Sequence, residues 1–296
     1  MSVRPAESDE REGEGGRRQA TGPTEAAILE AVREDVRQTL RAGWLDPALE
    51  AASVYPVFFT AAWSAIRPNV GKSFLALSKK VRSEAVDALR LSFDIPDLRK
   101  RVEGELSEEE IRRVEESSRA AHLTAAKAQI VVHAIYRAVR RERIPGTGRE
   151  EPPVRRGVPE WQRWMSFQPA PQNVRPILDE VREVIGLATL PIPLRLLARW
   201  PAALTTLWDE LRPAVTSDAW KGGASRLRRL VLAGIGTLPH PVELQWAALK
   251  AKGFTEEDRL GLAQVLARHD AGMSGQTLAS AFCWAAFGAP DIGVEG

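Results

Sequence analysis

The 296-residue sequence is poor in the residues on which many metal and redox sites depend. Its single cysteine, Cys283, cannot form an internal disulfide and excludes zinc sites and redox motifs built from cysteine pairs. Its four histidines, at 122, 133, 240 and 269, show neither HxxxH nor HExxH spacing. His133 is expected to satisfy a hydrogen bond within a helix instead. We therefore expect no metal and no other cofactor, and a reducing compartment.

Long apolar runs and an excess of one charge are also missing. No run approaches the roughly 18 apolar residues of a membrane-spanning helix, and the N-terminus lacks the apolar region of a secretory signal. Lys and Arg number 41 against 39 Asp and Glu, a formal net charge of +2. The basic clusters at 137–143 and 226–229 contain no aromatic residues for stacking on bases. We expect a cytoplasmic protein that binds neither membrane nor nucleic acid.

A long duplication organises the rest of the chain. The segment VYPVFFTAAWSAIRP at 54–68 returns as RWPAALTTLWDELRP at 199–213, an offset of 199 minus 54, or 145 residues. Downstream the offset grows to 148, where Ser107 aligns with Thr255. A period this long exceeds the roughly 20 to 50 residues of a solenoid repeat. It predicts two subdomains related by a pseudo-twofold axis.

Helical periodicity, with N-cap residues and prolines between the runs, predicts helices throughout. Pro68 is expected to end the first tryptophan-bearing helix, and Trp63 and Trp208 to pack at the seam between the halves. The predicted helices include 24–43, 47–54, 56–67, 72–91, 108–122, 127–139, 218–232 and 276–287. No long stretch alternates with period two. The predicted fold class is all-α, with two pseudo-twofold-related helical repeats forming an intramolecular pseudo-dimer.

The composition along the chain divides it into five parts. Residues 1–22 are charged and glycine-rich, which predicts a disordered arm. Residues 23–140 form the first helical repeat and 161–288 the second, joined by a linker at 141–160 that is rich in proline, glycine and charge. Residues 289–296 form a tail. A homodimer is left open as the assembly.

Two segments carry a resemblance to a known family. EDVRQTLRAGWLDPALEAASVYPVFFTAAW at 34–63 and IGLATLPIPLRLLARWPAALTTLW at 185–208 resemble the group I 2-haloacid dehalogenases, also called halocarboxylic acid dehalogenases. The resemblance covers about residues 24–288. It implies an all-α pseudo-dimer with a pocket for a small acid between the repeats. In that pocket an aspartate activates a water that displaces halide from the α carbon without an ester intermediate, and an asparagine helps to position the water.

The family's pocket residues carry over unevenly. Trp44 matches the pocket tryptophan, but Pro47 replaces the phenylalanine three residues further on. The catalytic aspartate, seven positions before the tryptophan of the second copy's RWP, falls on Pro193, which accepts no proton. The asparagine falls on Ala125, and the offset of 148 aligns Ala125 with Met273 in the second repeat. These five residues are the predicted substrate pocket, and none of them is a catalytic acid or base.

Asp46 is the remaining candidate for the base, because it is the acid in the matching turn of the first half. Followed by Pro47, it reads as a helix N-cap, whose oxygens are committed and whose pKa is expected to be lowered. Two hypotheses follow. The chain hydrolyses short 2-halocarboxylic acids, or it is a catalytically silent homologue that binds a small apolar or weakly acidic ligand in the cleft between the repeats.

Overall fold

The structure is a computed structural model that describes residues 24–152, 154, 156–186 and 189–288. The predicted arm at 1–22 and tail at 289–296 lie outside the described residues. The described part of the chain forms twelve α-helices, three short 3-10 helices and no strand, with one isolated antiparallel bridge between Ile144 and Val242. The predicted all-α fold class is confirmed.

The twelve helices fall into two series of six. The first series is α1 (Glu25–Leu40), α2 (Pro47–Ser53), α3 (Pro56–Ile66), α4 (Lys72–Arg90), α5 (Leu98–Val102) and α6 (Glu108–Val139). The second series is α7 (Arg175–Ile185), α8 (Ile192–Leu197), α9 (Pro201–Thr216), α10 (Asp218–Ile235), α11 (Trp246–Ala251) and α12 (Glu256–Phe287). The segment between α6 and α7 contains the 3-10 turn Glu160–Gln162.

The helix starts follow from capping chemistry that the sequence carries. Ser107 and Thr255 begin α6 and α12 with full capping boxes, in which a side-chain hydroxyl and an acid three residues later satisfy each other's backbone amides. Prolines occupy the first position of α2, α3 and α9, where a missing amide hydrogen has no cost. Asp46 is the N-cap of α2, as expected.

Helices α6 and α12 form the centre of the molecule. Ser118 contacts Cys283 at 3.2 Å near one end, and Gln129 donates to Ser274 at 2.7 Å nearer the other, so the two helices run antiparallel. Separate helices were predicted at 108–122 and 127–139, but α6 is one continuous helix of 32 residues, as is α12. Among the described residues, no helix has both the length and the apolar character needed to cross a bilayer.

The second tryptophan-bearing helix, α9, is longer than the first, α3, which ends at Ile66. α9 continues through Pro213 to Thr216, because the proline lies in its last turn and the carbonyl that it leaves without a helical partner belongs to the exposed Asp209. The indole N–H groups of Trp63 and Trp208 form hydrogen bonds within their own series, from α3 to α1 and from α9 to α7. Packing of the two rings at the seam between the halves stays a prediction.

These two indole contacts recur with the predicted offset. Trp63 Nε1 donates to Asp35 at 2.7 Å, and Trp208 Nε1 donates to Glu180 at 3.1 Å. Donor and acceptor are both displaced by 145 residues between the two bonds (208 minus 63, and 180 minus 35). The recurrence supports the proposed duplication, while the pseudo-twofold relation and the domain bounds stay predictions.

Candidate functional site

A small enclosed cavity lies beside Trp44, where helices of both series meet. Its volume is about 20 Å³, close to the space that one water molecule needs. Trp44 and Asp46 line it from the turn before α2, Thr124 and Ala125 from α6, and Ile192 from the start of α8. Most of the other wall residues are apolar and come from α1, α2 and the turn between them. The cavity therefore brings one carboxyl group to a mainly apolar wall.

The carboxyl group of Asp46 is buried, with 6% of the residue exposed. Its Oδ1 accepts a hydrogen bond from the Ala48 amide at 2.9 Å, and no second hydrogen bond reaches it from the described residues. Burial raises the pKa of Asp46 to about 6, helped by the negative charge of Glu50 and opposed by the Ala48 amide and the charge of Arg195. The expectation of a lowered pKa is wrong, because desolvation outweighs the capping bond.

The segment after the 3-10 turn covers this site. The ring of Phe167 packs on Trp44 with centroids 5.9 Å apart, and the Arg195 guanidinium lies 3.7 Å from the Phe167 ring centroid. Gly43 allows the segment to approach, because a Cβ there would lie 2.7 Å from the backbone carbonyl oxygen of Gln162. Residues far along the chain thus exclude water from the turn that carries Asp46.

An open cleft of about 380 Å³ lies on the other side of Trp44. Trp44, Leu45 and Arg37 line both the cleft and the cavity, so these side chains form the partition between them. Arg37 pairs with both Glu30 and Glu34 through Nη2, but its buried Nε has no hydrogen-bond partner. The partition therefore holds an unused N–H donor on a guanidinium whose charge already has two carboxylate partners.

The structure brings together only some of the residues predicted from the sequence. Trp44 and Ala125 line the cavity, as does the candidate base Asp46. The other predicted pocket residues are buried in helices but do not line it: Pro47, Pro193 and Met273. Beside Pro193, the neighbouring Ile192 supplies the wall instead.

Of the twelve lining residues, only Trp44, Asp46 and Ala125 were predicted as site residues, and three of the others are instructive. Ile192 could have been found from the repeat, because the offset of 145 aligns it with Pro47, directly after Asp46. Thr124 precedes Ala125 and donates its hydroxyl hydrogen to the Ala120 carbonyl at 2.8 Å, as is common for threonine within helices. No signal in the sequence pointed to Arg37.

A second buried polar cluster joins α6, α10 and α12. His133 Nδ1 forms a hydrogen bond with Asp270 Oδ1, and Arg228 Nη2 lies 2.6 Å from Asp270 Oδ2. The expectation that His133 bonds within its own helix is wrong, because its partner lies on α12. Burial disfavours the charged carboxylate, yet His133 and Arg228 hold the pKa of Asp270 below its ordinary value.

The described residues contain no cluster of metal ligands, and Cys283 is buried. Across the described ranges, no three His, Cys, Asp or Glu side chains come together as a metal site. Cys283 is buried and close to Ser118, and burial raises the pKa of its thiol to about 12. The thiol is therefore protonated at neutral pH and is a poor nucleophile.

Comparisons with known proteins agree with this fold. No family profile matches the chain. In sequence it is 25% identical over 246 residues to an (R)-2-haloacid dehalogenase of Rhizobium sp. (strain NHG3), covering 76% of this chain and 90% of the relative. A D-2-haloacid dehalogenase mutant in complex with D-2-CPA has a TM-score of 0.80 at 19% identity, covering 89% of this chain and 94% of that one. A D-2-haloacid dehalogenase complex with L-LA gives 0.77 at 20% identity, covering 90% and 95%.

Proposed function

We propose, on the premise that this chain is a divergent relative of the 2-haloacid dehalogenases, that it hydrolyses short 2-halocarboxylic acids beside Trp44. The supporting observation is the buried Asp46 carboxyl at a cavity the size of one water. In the reaction a water oxygen bonds to the α carbon as the carbon–halogen bond breaks. The halide leaves with the bonding electrons, Asp46 takes the water's proton, and the product is a 2-hydroxy acid. No cofactor is required.

Asp46 has the properties of a general base. With a pKa of about 6 it is a stronger base than an ordinary aspartate, yet it is still mostly ionised at pH 7. Its Oδ1 is committed to the Ala48 amide, which leaves Oδ2 for a water in the cavity. A positioned base contributes about 10²- to 10⁴-fold in rate. Asp46 would thus replace the aspartate whose position is taken by Pro193.

The substrate would bind across the partition. A cavity of about 20 Å³ holds a water but no halocarboxylic acid, whereas the adjoining cleft of about 380 Å³ has room for one. Arg37 borders both spaces, and its unpartnered Nε–H would donate to the substrate carboxylate. Displacement of the Trp44 indole would then let the α carbon reach the water on Asp46.

The second candidate is a catalytically silent homologue that binds a small apolar or weakly acidic ligand in the same place. Pro193 and Ala125 favour it, because neither offers the carboxylate or amide that the resemblance assigns to those positions. The mainly apolar cavity wall favours it as well. In this case Asp46 serves only as the cap of α2.

Halide release from D- and L-2-chloropropionate by the purified protein distinguishes the two candidates. Asp46→Asn removes the base but keeps an N-cap of equal quality. Asp209→Asn, at an exposed position of α9, is the matched control. We expect release that falls by about 10²-fold or more in Asp46→Asn and stays unchanged in Asp209→Asn.

Equal release by Asp46→Asn and the wild type would exclude Asp46 as the base. Absence of release from the wild type between pH 5 and 9, with calorimetric binding of 2-chloropropionate retained, would exclude the enzyme and leave the silent homologue. Absence of both release and binding would reject both candidates.

A further inference from the structure

A second, larger pocket opens between α4, α6 and the end of α12. Its volume is about 420 Å³, and it shares no lining residue with the cavity beside Trp44. Five lysine or arginine side chains and three carboxylates line it. Two of the carboxylates, Glu115 and Glu116, pair with Arg99 and Arg113, which lie outside the lining. Arg112 pairs in turn with Glu109 outside the lining, which leaves four cationic side chains and the carboxylate Asp87 in the pocket.

An aromatic pair forms the inner wall. The imidazole of His122 stacks on the indole of Trp284, with centroids 4.7 Å apart and planes 11° apart. Only 7% of His122 is exposed, and its buried Nδ1 has no hydrogen-bond partner. Burial, together with the charge of Arg82, lowers the pKa of His122 to about 3. The ring is thus neutral and offers one N–H donor and one acceptor.

The rim supplies cations that the described residues leave unpaired. Lys79 and Arg90 are exposed, and they lie on the face of α4 that borders the pocket. The structure gives neither side chain an ion pair within its described ranges. A pocket with an aromatic wall, an unsatisfied buried nitrogen and free cations at its rim meets the chemical needs of one kind of ligand.

We propose that this pocket binds a small organic anion with a flat aromatic body. The anionic head, a phosphate or carboxylate, lies beside Lys79 or Arg90, which are about 16 Å apart along α4, and gains charge-assisted hydrogen bonds there. The aromatic body lies against Trp284, and a polar atom on it satisfies the imidazole of His122. The site is separate from the proposed dehalogenase function and does not depend on it.

The test is calorimetric titration of the full-length protein with 1-naphthyl phosphate in low salt. We expect a Kd below about 1 mM, weakened about tenfold by Lys79→Gln or Arg90→Gln. Arg229→Gln, at an exposed site on α10 outside the pocket, should bind as the wild type does.

Several outcomes would overturn the proposal. These are no binding at millimolar probe, an affinity in both Lys79→Gln and Arg90→Gln that equals that of Arg229→Gln, or equally tight binding of the uncharged 1-naphthol. The chain's own residues 289–296 follow Gly288 at the pocket rim and carry Asp291 and Glu295. Binding of the probe by a chain ending at Gly288, but not by the full chain, would make this segment the occupant and would also reject an external ligand.

Discussion

Replacing Asp46 with asparagine is expected to stabilise the folded protein above pH 6. The ordinary pKa of 3.8 rises to about 6 in the folded state, so the folded chain holds this proton more tightly than the unfolded chain. The stabilisation linked to the proton is complete below pH 3.8 and is lost as pH rises through 6. The pKa difference of about 2, at about 1.4 kcal/mol per pH unit, corresponds to about 3 kcal/mol.

Asparagine avoids the free-energy cost of ionising a buried carboxyl group, because its side chain does not ionise. It also caps a helix as well as aspartate does. Urea unfolding followed by circular dichroism should show nearly equal stabilities at pH 4. At pH 8 the variant should be more stable by about 3 kcal/mol. Asp209→Asn, at an exposed site, should show no such trend. A variant that is no more stable than the wild type at pH 8 would refute the reasoning that burial dominates at Asp46. If Asp46→Asn is both more stable at pH 8 and unable to release halide, then Asp46 lowers the stability of the folded protein while supporting its activity.

Three further predictions test other parts of the structure. If Asp46 is the base, kcat/KM for halide release should rise about tenfold per pH unit below pH 6 and level off above pH 6. A pH profile of kcat/KM that is flat from pH 4 to 8 would contradict this role. Asp270→Asn should reduce the free energy of unfolding by about 1 to 3 kcal/mol in urea at pH 7, because it removes the buried carboxylate that His133 and the partly exposed Arg228 contact. Since the pKa of Asp270 is lowered, that difference should shrink as pH falls below the ordinary aspartate range, whereas a constant difference would argue for lost packing alone. Gly43→Ala should cost about 1 to 3 kcal/mol by pushing the Gln162 carbonyl away from residue 43. Gly104→Ala, which has no neighbouring atom within 4 Å of the added carbon, should cost little.

The local elements of the fold could be predicted because their signals are local. N-caps at Asp46, Ser107 and Thr255, and prolines at the starts of α3 and α9, mark helix beginnings in the sequence itself. The continuity of α6 was missed for a physical reason. Its pattern changes from one apolar face to burial all round as the helix passes from surface to core, and no Gly or Pro interrupts the change.

The environment of the candidate site was harder to predict, because residues distant in sequence create it. Phe167 and Gln162 cover the turn from more than a hundred residues away. An N-cap aspartate is ordinarily solvated, so nothing near Asp46 in the sequence foretold its burial or its raised pKa. The same holds for His133, whose partner Asp270 lies on the other central helix.

The pairing of α6 with α12 has a consequence for synthesis of the protein. Gln129 contacts Ser274 and Thr277, and the apolar residues around it on α6 are covered only when the last helix exists. At about 5 to 20 residues per second, a ribosome takes roughly 7 to 30 s to travel from the end of α6 to the end of α12. Throughout that interval the apolar residues of α6 that pack against α12 are exposed in the nascent chain. A transcript broken before codon 256 would therefore yield a product for chaperones and proteases rather than a smaller working protein.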